Sequence, residues 1–141
     1  MTMMNLADHV ISIAQREDRQ VTNLQLQKIM YFVILNGMKE GFIDDDWLKM
    51  NYDQEFVVWK YGPVVENIYE KYSVFGASSI FFIKKERNEF EKLNFLIVNL
   101  LNEAPLHLIE KSRQRFLSKE REKSVRLSAK DLLEISKEQE S

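Results

Sequence analysis

The sequence predicts a mostly α-helical α+β domain, with a central buried helix wrapped by other helices and a small antiparallel β-sheet. Three observations predict it. Apolar residues recur at helical spacing along several stretches, one of these (23–39) is apolar nearly all round, and two short runs (55–59 and 79–84) are rich in β-branched and aromatic residues. At 141 residues the chain is long enough for one domain with its own core and short for two, so 1–141 is read as one domain.

Leu6, Ala7, Val10, Ile13 and Ala14 lie on one stripe and predict a first helix over 4–17. Thr22 followed by Gln25 is a capping-box pattern and starts a second helix at Asn23. Leu24, Leu26, Ile29, Met30, Phe32, Val33, Ile34 and Leu35 cover most directions of that helix, which marks it as the central one. Gly37 and Gly41 are both candidate ends, and Gly41 is the better C′ residue. Residues 42–54 mix Phe42, Ile43, Trp47 and Leu48 with Asp44, Asp45, Asp46 and Asp53, predicting an ordered acidic loop with at most a short helical turn.

Residues 55–59 read as a strand. Gly62 can take dihedrals that other residues avoid, and Pro63 fixes φ near the helical value without an N–H, so a third helix is expected from Pro63 to about Phe75, closed by Gly76. Strand alternation places Val57 and Trp59 on the inner face and Lys60 on the outer. Ile80, Phe81, Phe82 and Ile83 suit a second strand pairing with 55–59. Helices are expected over 87–102, restarted by Pro105 over 106–117, and again after an N-cap at Ser128.

Composition limits function. Zero cysteines exclude disulfides, thiolate nucleophiles and Cys-based zinc sites, and fit a reducing, cytoplasmic setting. No basic, apolar leader pattern opens the sequence and no apolar run approaches the roughly 20 residues that span a bilayer, so no membrane partner is expected. His9 and His107 lie in different predicted helices without a motif, and the aspartates lack the loop glycine and terminal Glu of an EF-hand. No nucleophile elbow or paired-carboxylate arrangement is legible, so neither catalytic residue, metal nor cofactor is expected and the chain is not read as an enzyme.

Three sets of residues are candidates for partner binding. On the second helix Gln27, Lys28 and Tyr31 bring an amide, an ammonium and a phenol together in apolar surroundings. They either satisfy the Gly-Pro corner from inside, or line a groove for another protein or a pocket for a small ligand. Lys60 and Tyr61, next to Trp59, are the aromatic and cationic types found at interface hot spots. Between 111 and 126 seven basic residues, among them Arg113, Arg115 and Arg121, stand against Glu120 and Glu122, a local charge of about +5. Such a stretch is a solvated face, or a contact for an acidic protein or a nucleic-acid backbone; Phe116 is its one aromatic, which disfavours base stacking.

The run Leu24-Gln25-Leu26-Gln27-Lys28-Ile29-Met30-Tyr31 and the junction Val57-Val58-Trp59-Lys60-Tyr61-Gly62-Pro63-Val64-Val65-Glu66-Asn67-Ile68-Tyr69 together resemble the Panacea domain family, also known as SocA-like or GepA phage-associated. The resemblance runs from about Leu6 to Phe75, and makes Trp59, Gly62, Pro63 and Tyr69 the structural motif. It implies a phage-associated antitoxin that neutralises a toxin by direct protein–protein binding, with protease machinery as a second partner if it acts as an adaptor. The basic part, 105–141, departs from the family: the His and the Pro-Trp pair expected after the last helix are missing. Two other classes stay open, a phage-borne inhibitor of a host defence nuclease and a nucleic-acid-binding regulator, the latter less favoured.

Overall fold

The capping box predicted at Thr22 is formed: its hydroxyl accepts from the Gln25 N–H and the Gln25 amide oxygen accepts from the Thr22 N–H. It opens the central helix of a computed structural model that describes residues 2–116 and 125–138. Seven helices and three strands follow one another in these residues as α1 (Met3–Arg16), α2 (Asn23–Lys39), α3 (Asp45–Asn51), β1 (Phe56–Trp59), β2 (Gly62–Val64), α4 (Glu66–Tyr72), α5 (Asn94–Leu101), α6 (Pro105–Gln114), β3 (Arg126–Leu127) and α7 (Ala129–Glu138). The fold is a mostly helical α+β arrangement around α2, which touches α1, α4, α5, α6, α7 and β2. Every side chain from Gln25 to Leu35 is buried, so the all-round apolar pattern does mark the core helix. Gly41, at φ +83°, follows its end, while a Cβ on Gly37 would come within 2.6 Å of the Ile43 side chain.

Four expectations are corrected. The acidic segment holds a two-turn helix, α3, because its aspartates are helix-start residues: Asp44 accepts from the Trp47 N–H and Asp45 and Asp46 occupy the first turn. Pro63 does not start a helix; Gly62–Val64 is a strand, and α4 begins at Glu66. The strands lie in the order β2-β1-β3, antiparallel throughout, with Val57 opposite Val64, Val58 opposite Pro63 and Trp59 opposite Gly62. The Val58 N–H is directed to the Val125 carbonyl on the β3 side. Val58 and Pro63 are therefore a non-hydrogen-bonded pair, and the missing N–H of Pro63 faces away from the ladder, where an edge strand tolerates it.

The third correction concerns 79–84, which does not pair with β1. Both edges of β1 are taken, by β2 and β3. The segment's pairing with the body is one isolated bridge, Ser79 to Thr22, supplemented by side-chain bonds from Gln15, and Ile80 alone of its four apolar side chains is buried. Fourth, the helix expected over 87–102 is a 3₁₀ stretch (Asn88–Leu93) running into α5. Pro105 opens α6 as expected, and at α7 the Ser128 hydroxyl and the Asp131 carboxylate cap each other's N–H. Among the described residues no helix is long and apolar enough to cross a membrane.

Candidate protein-contact site at the hairpin tip

Lys60 and Tyr61 form the two-residue turn between β1 and β2, and Gly62 closes it at φ +98°. A Cβ on Gly62 would lie 2.7 Å from Ser112 Oγ and 3.2 Å from the Arg113 backbone nitrogen, so glycine lets the hairpin rest on the α6 backbone. Arg113 secures the contact from the other side, its Nε donating to the Lys60 carbonyl at 3.3 Å.

The polar trio on α2 clamps the inner end of the same hairpin. Lys28 Nζ donates to the Pro63 carbonyl at 2.9 Å, and Gln27 Oε1 accepts from the Val65 N–H at 2.8 Å. Gln27 also donates to Asn23 Oδ1, whose own amide donates to the Tyr69 carbonyl. Tyr31 packs edge-on against Phe56 and Phe32. All three are buried, which corrects their placing among the contact residues: Lys28 and Gln27 satisfy the Gly-Pro corner from within, and Tyr31 packs in the core. Burial pushes the Lys28 ammonium down to about 7 and raises the Tyr31 phenol well above its ordinary value.

Outside, the tip is aromatic and cationic. Tyr61 is 51% exposed, and the Lys60 ammonium lies 5.6 Å from its ring centroid. Trp59, expected inside, is 38% exposed, because β1 runs out past the core at its last residue; its ring stands edge-on to Tyr69 at 5.2 Å. The structure thus brings Trp59, Lys60, Tyr61, Tyr69 and Arg113 to one place. Arg115 is engaged elsewhere, its Nη2 lying 2.7 Å from the Glu138 carboxylate on α7. Arg121 lies outside the described residues.

Among the described residues of the basic stretch, Lys111, Arg113, Arg115 and Arg126 each meet a group of this chain. Lys111 sits over the Phe32 ring at 5.1 Å, and Arg113 reaches Glu110 as well as the Lys60 carbonyl. Cations held this way have less left for a phosphate backbone than the sequence count suggests.

Two features escaped the sequence. His9 is fully buried: Nδ1 accepts from the Arg87 N–H at 2.9 Å, which leaves the proton on Nε2 to donate to Asn94 Oδ1 at 2.6 Å. Burial lowers its pKa. Away from the turn residues, Phe81, Phe82 and Ile83 stand exposed, with Phe75 edge-on to both phenylalanine rings. The apolar run was the signal for it; its outward position depends on β1 having no free edge.

Compared with family models, curated proteins and solved structures, the chain matches none.

Proposed function

We propose that this chain is an antitoxin-type protein that neutralises a toxin by stoichiometric protein binding through the hairpin tip. The observation that carries the reading is the tip itself. An exposed Trp and Tyr, residue types that with Arg dominate interface energetics, are presented beside Lys60 on a turn clamped from behind by α2 and from the side by α6. A rigid, preorganised tip loses little conformational entropy on docking. The two segments that resemble the Panacea family, 24–31 and 57–69, are the two that build this clamp and hairpin. The internal pairing of Lys111, Arg113 and Arg115 favours a protein partner over nucleic acid.

Co-expression with the adjacent reading frame tests the proposal. Toxicity of that frame should be relieved by this chain, and the two should co-purify. Tyr61→Ala and Lys60→Glu should each weaken the complex about tenfold or more while the melting temperature stays within about one degree, since both side chains point to solvent. A harmless neighbour that forms no complex would overturn the antitoxin reading. Rescue untouched by both substitutions would overturn the tip as its contact site.

A further inference from the structure

The extended segment after Ser79 is bonded to the body along one edge. The Ile80 N–H donates to the Val21 carbonyl at 2.9 Å, and the Gln15 side chain spans the next positions, donating to the Phe82 carbonyl and accepting from the Lys84 N–H at 3.1 Å. Backbone groups of alternate residues in an extended chain point to opposite edges. Phe81 and Ile83 therefore direct their N–H and C=O groups outward, and among the described residues these groups have no hydrogen-bond partner. Their side chains are 72% and 89% exposed. An open, apolar strand edge is a template for pairing with another chain.

We infer that this edge pairs antiparallel with the same edge of a second copy, about a two-fold axis through Phe82. That register places Phe81 opposite Ile83 of the second copy and Ile83 opposite its Phe81. Both are hydrogen-bonded positions, so all four outward groups on each chain gain partners in one step. Phe82 faces Phe82 as the non-hydrogen-bonded pair at the axis. In this register Phe81 meets Ile83 on either side of the axis and Phe82 meets Phe82 on it, so apolar side chains are opposed by apolar side chains. The flanking charges agree: Lys84 comes opposite Ile80 and Lys85 opposite Ser79, so no like charges are opposed. Lys85 of the second copy then arrives at the open cleft lined by Asp18, Arg19, Gln20 and Ser79, where Asp18 can answer it while the Arg19 guanidinium is bonded to Asn102 Oδ1. A second copy fits this edge better than an unrelated strand, because one register satisfies backbone, apolar and charged groups together. The pairing uses none of the hairpin-tip residues and does not depend on the toxin-binding reading.

The full chain is examined by sedimentation equilibrium between about 1 μM and about 1 mM, a window suited to a small interface. A reversible dimer is expected, with Ile83→Glu raising its dissociation constant roughly tenfold or more at unchanged helicity. The chain has no cysteine, so the register can be read by cross-linking. Phe82→Cys should oxidise to a disulfide-linked dimer, since Cα atoms in a non-hydrogen-bonded pair lie about 4.5 Å apart. Phe81→Cys should not, its two copies being about 8 Å apart across the axis. A monomer throughout the range with no cross-link from Phe82→Cys would overturn the pairing. Equal cross-linking of both cysteine variants would overturn the register.

Discussion

Two buried titratable side chains, Lys28 and His9, tie the stability of this chain to pH in different windows. Lys28 is sealed beneath the hairpin with one carbonyl as partner for an ammonium that carries three donors. Its folded pKa, about 7, lies below the unfolded value, so the fold prefers the neutral amine. Stability should therefore rise with pH between about 7 and 10, with a slope of up to about 1.4 kcal/mol per pH unit. Lys28→Met should flatten that rise, which chemical denaturation at pH 7.5 and 9.5 would measure; equal slopes in parent and variant would refute it. His9 acts at lower pH. Its Nδ1 accepts from Arg87 and burial depresses its pKa, so its contribution is present above about pH 6.5 and is lost as the pH falls below that. Glu86 and Glu89 oppose the depression and Arg16 adds to it, which moderates the acid limb.

At the scale of elements the hairpin between β1 and β2 is the most constrained piece. Gly62 combines a positive φ with a close approach to α6, and a β-branched side chain is strained by both. Gly62→Val should cost at least about 2 kcal/mol and lift the turn from α6; a denaturation midpoint equal to the parent's would refute this geometry. Trp59→Ala should be milder, at about 1 kcal/mol, because half-exposed Trp59 loses the edge-on contact with Tyr69 and leaves no core cavity. What was legible in the sequence divides along the same line. The caps at Thr22 and Ser128, the stripe of α1 and the core helix α2 are written in residues three or four apart, and local chemistry decides them. Pro63 was not legible, because proline suits both a first helical turn and an edge strand, and the choice rests on pairing with Val58 across the turn and on Lys28, distant in sequence.

Closure of the whole molecule depends on residues 125–138, of which the sequence shows the helix after Ser128 but hides β3, two residues long and without a pattern. Arg126 and Leu127 take the second edge of β1, which left 79–84 outside the sheet, and α7 packs on α2 with Leu132 fully buried. One hydroxyl joins the two ends of this arrangement. Tyr52 Oη donates to the Leu127 carbonyl at 2.6 Å and accepts from the Phe56 N–H at 2.9 Å, bridging the start of β1 to β3. Burial raises this phenol well above its ordinary pKa, so it stays protonated and able to donate across the neutral range. Tyr52→Phe keeps the ring that packs against Phe56 and removes only the bridge. A buried donor and acceptor left without their partner should cost about 1–3 kcal/mol. The loss should be local before it is global: the Val58 amide, bonded to the Val125 carbonyl, should exchange faster with solvent while amides of α1 and α2 keep their protection. Native-state hydrogen exchange separates the outcomes. Faster exchange confined to β1 makes 125–138 a latch that opens on its own, whereas an equal change in every helix would mean that this segment unfolds only with the core.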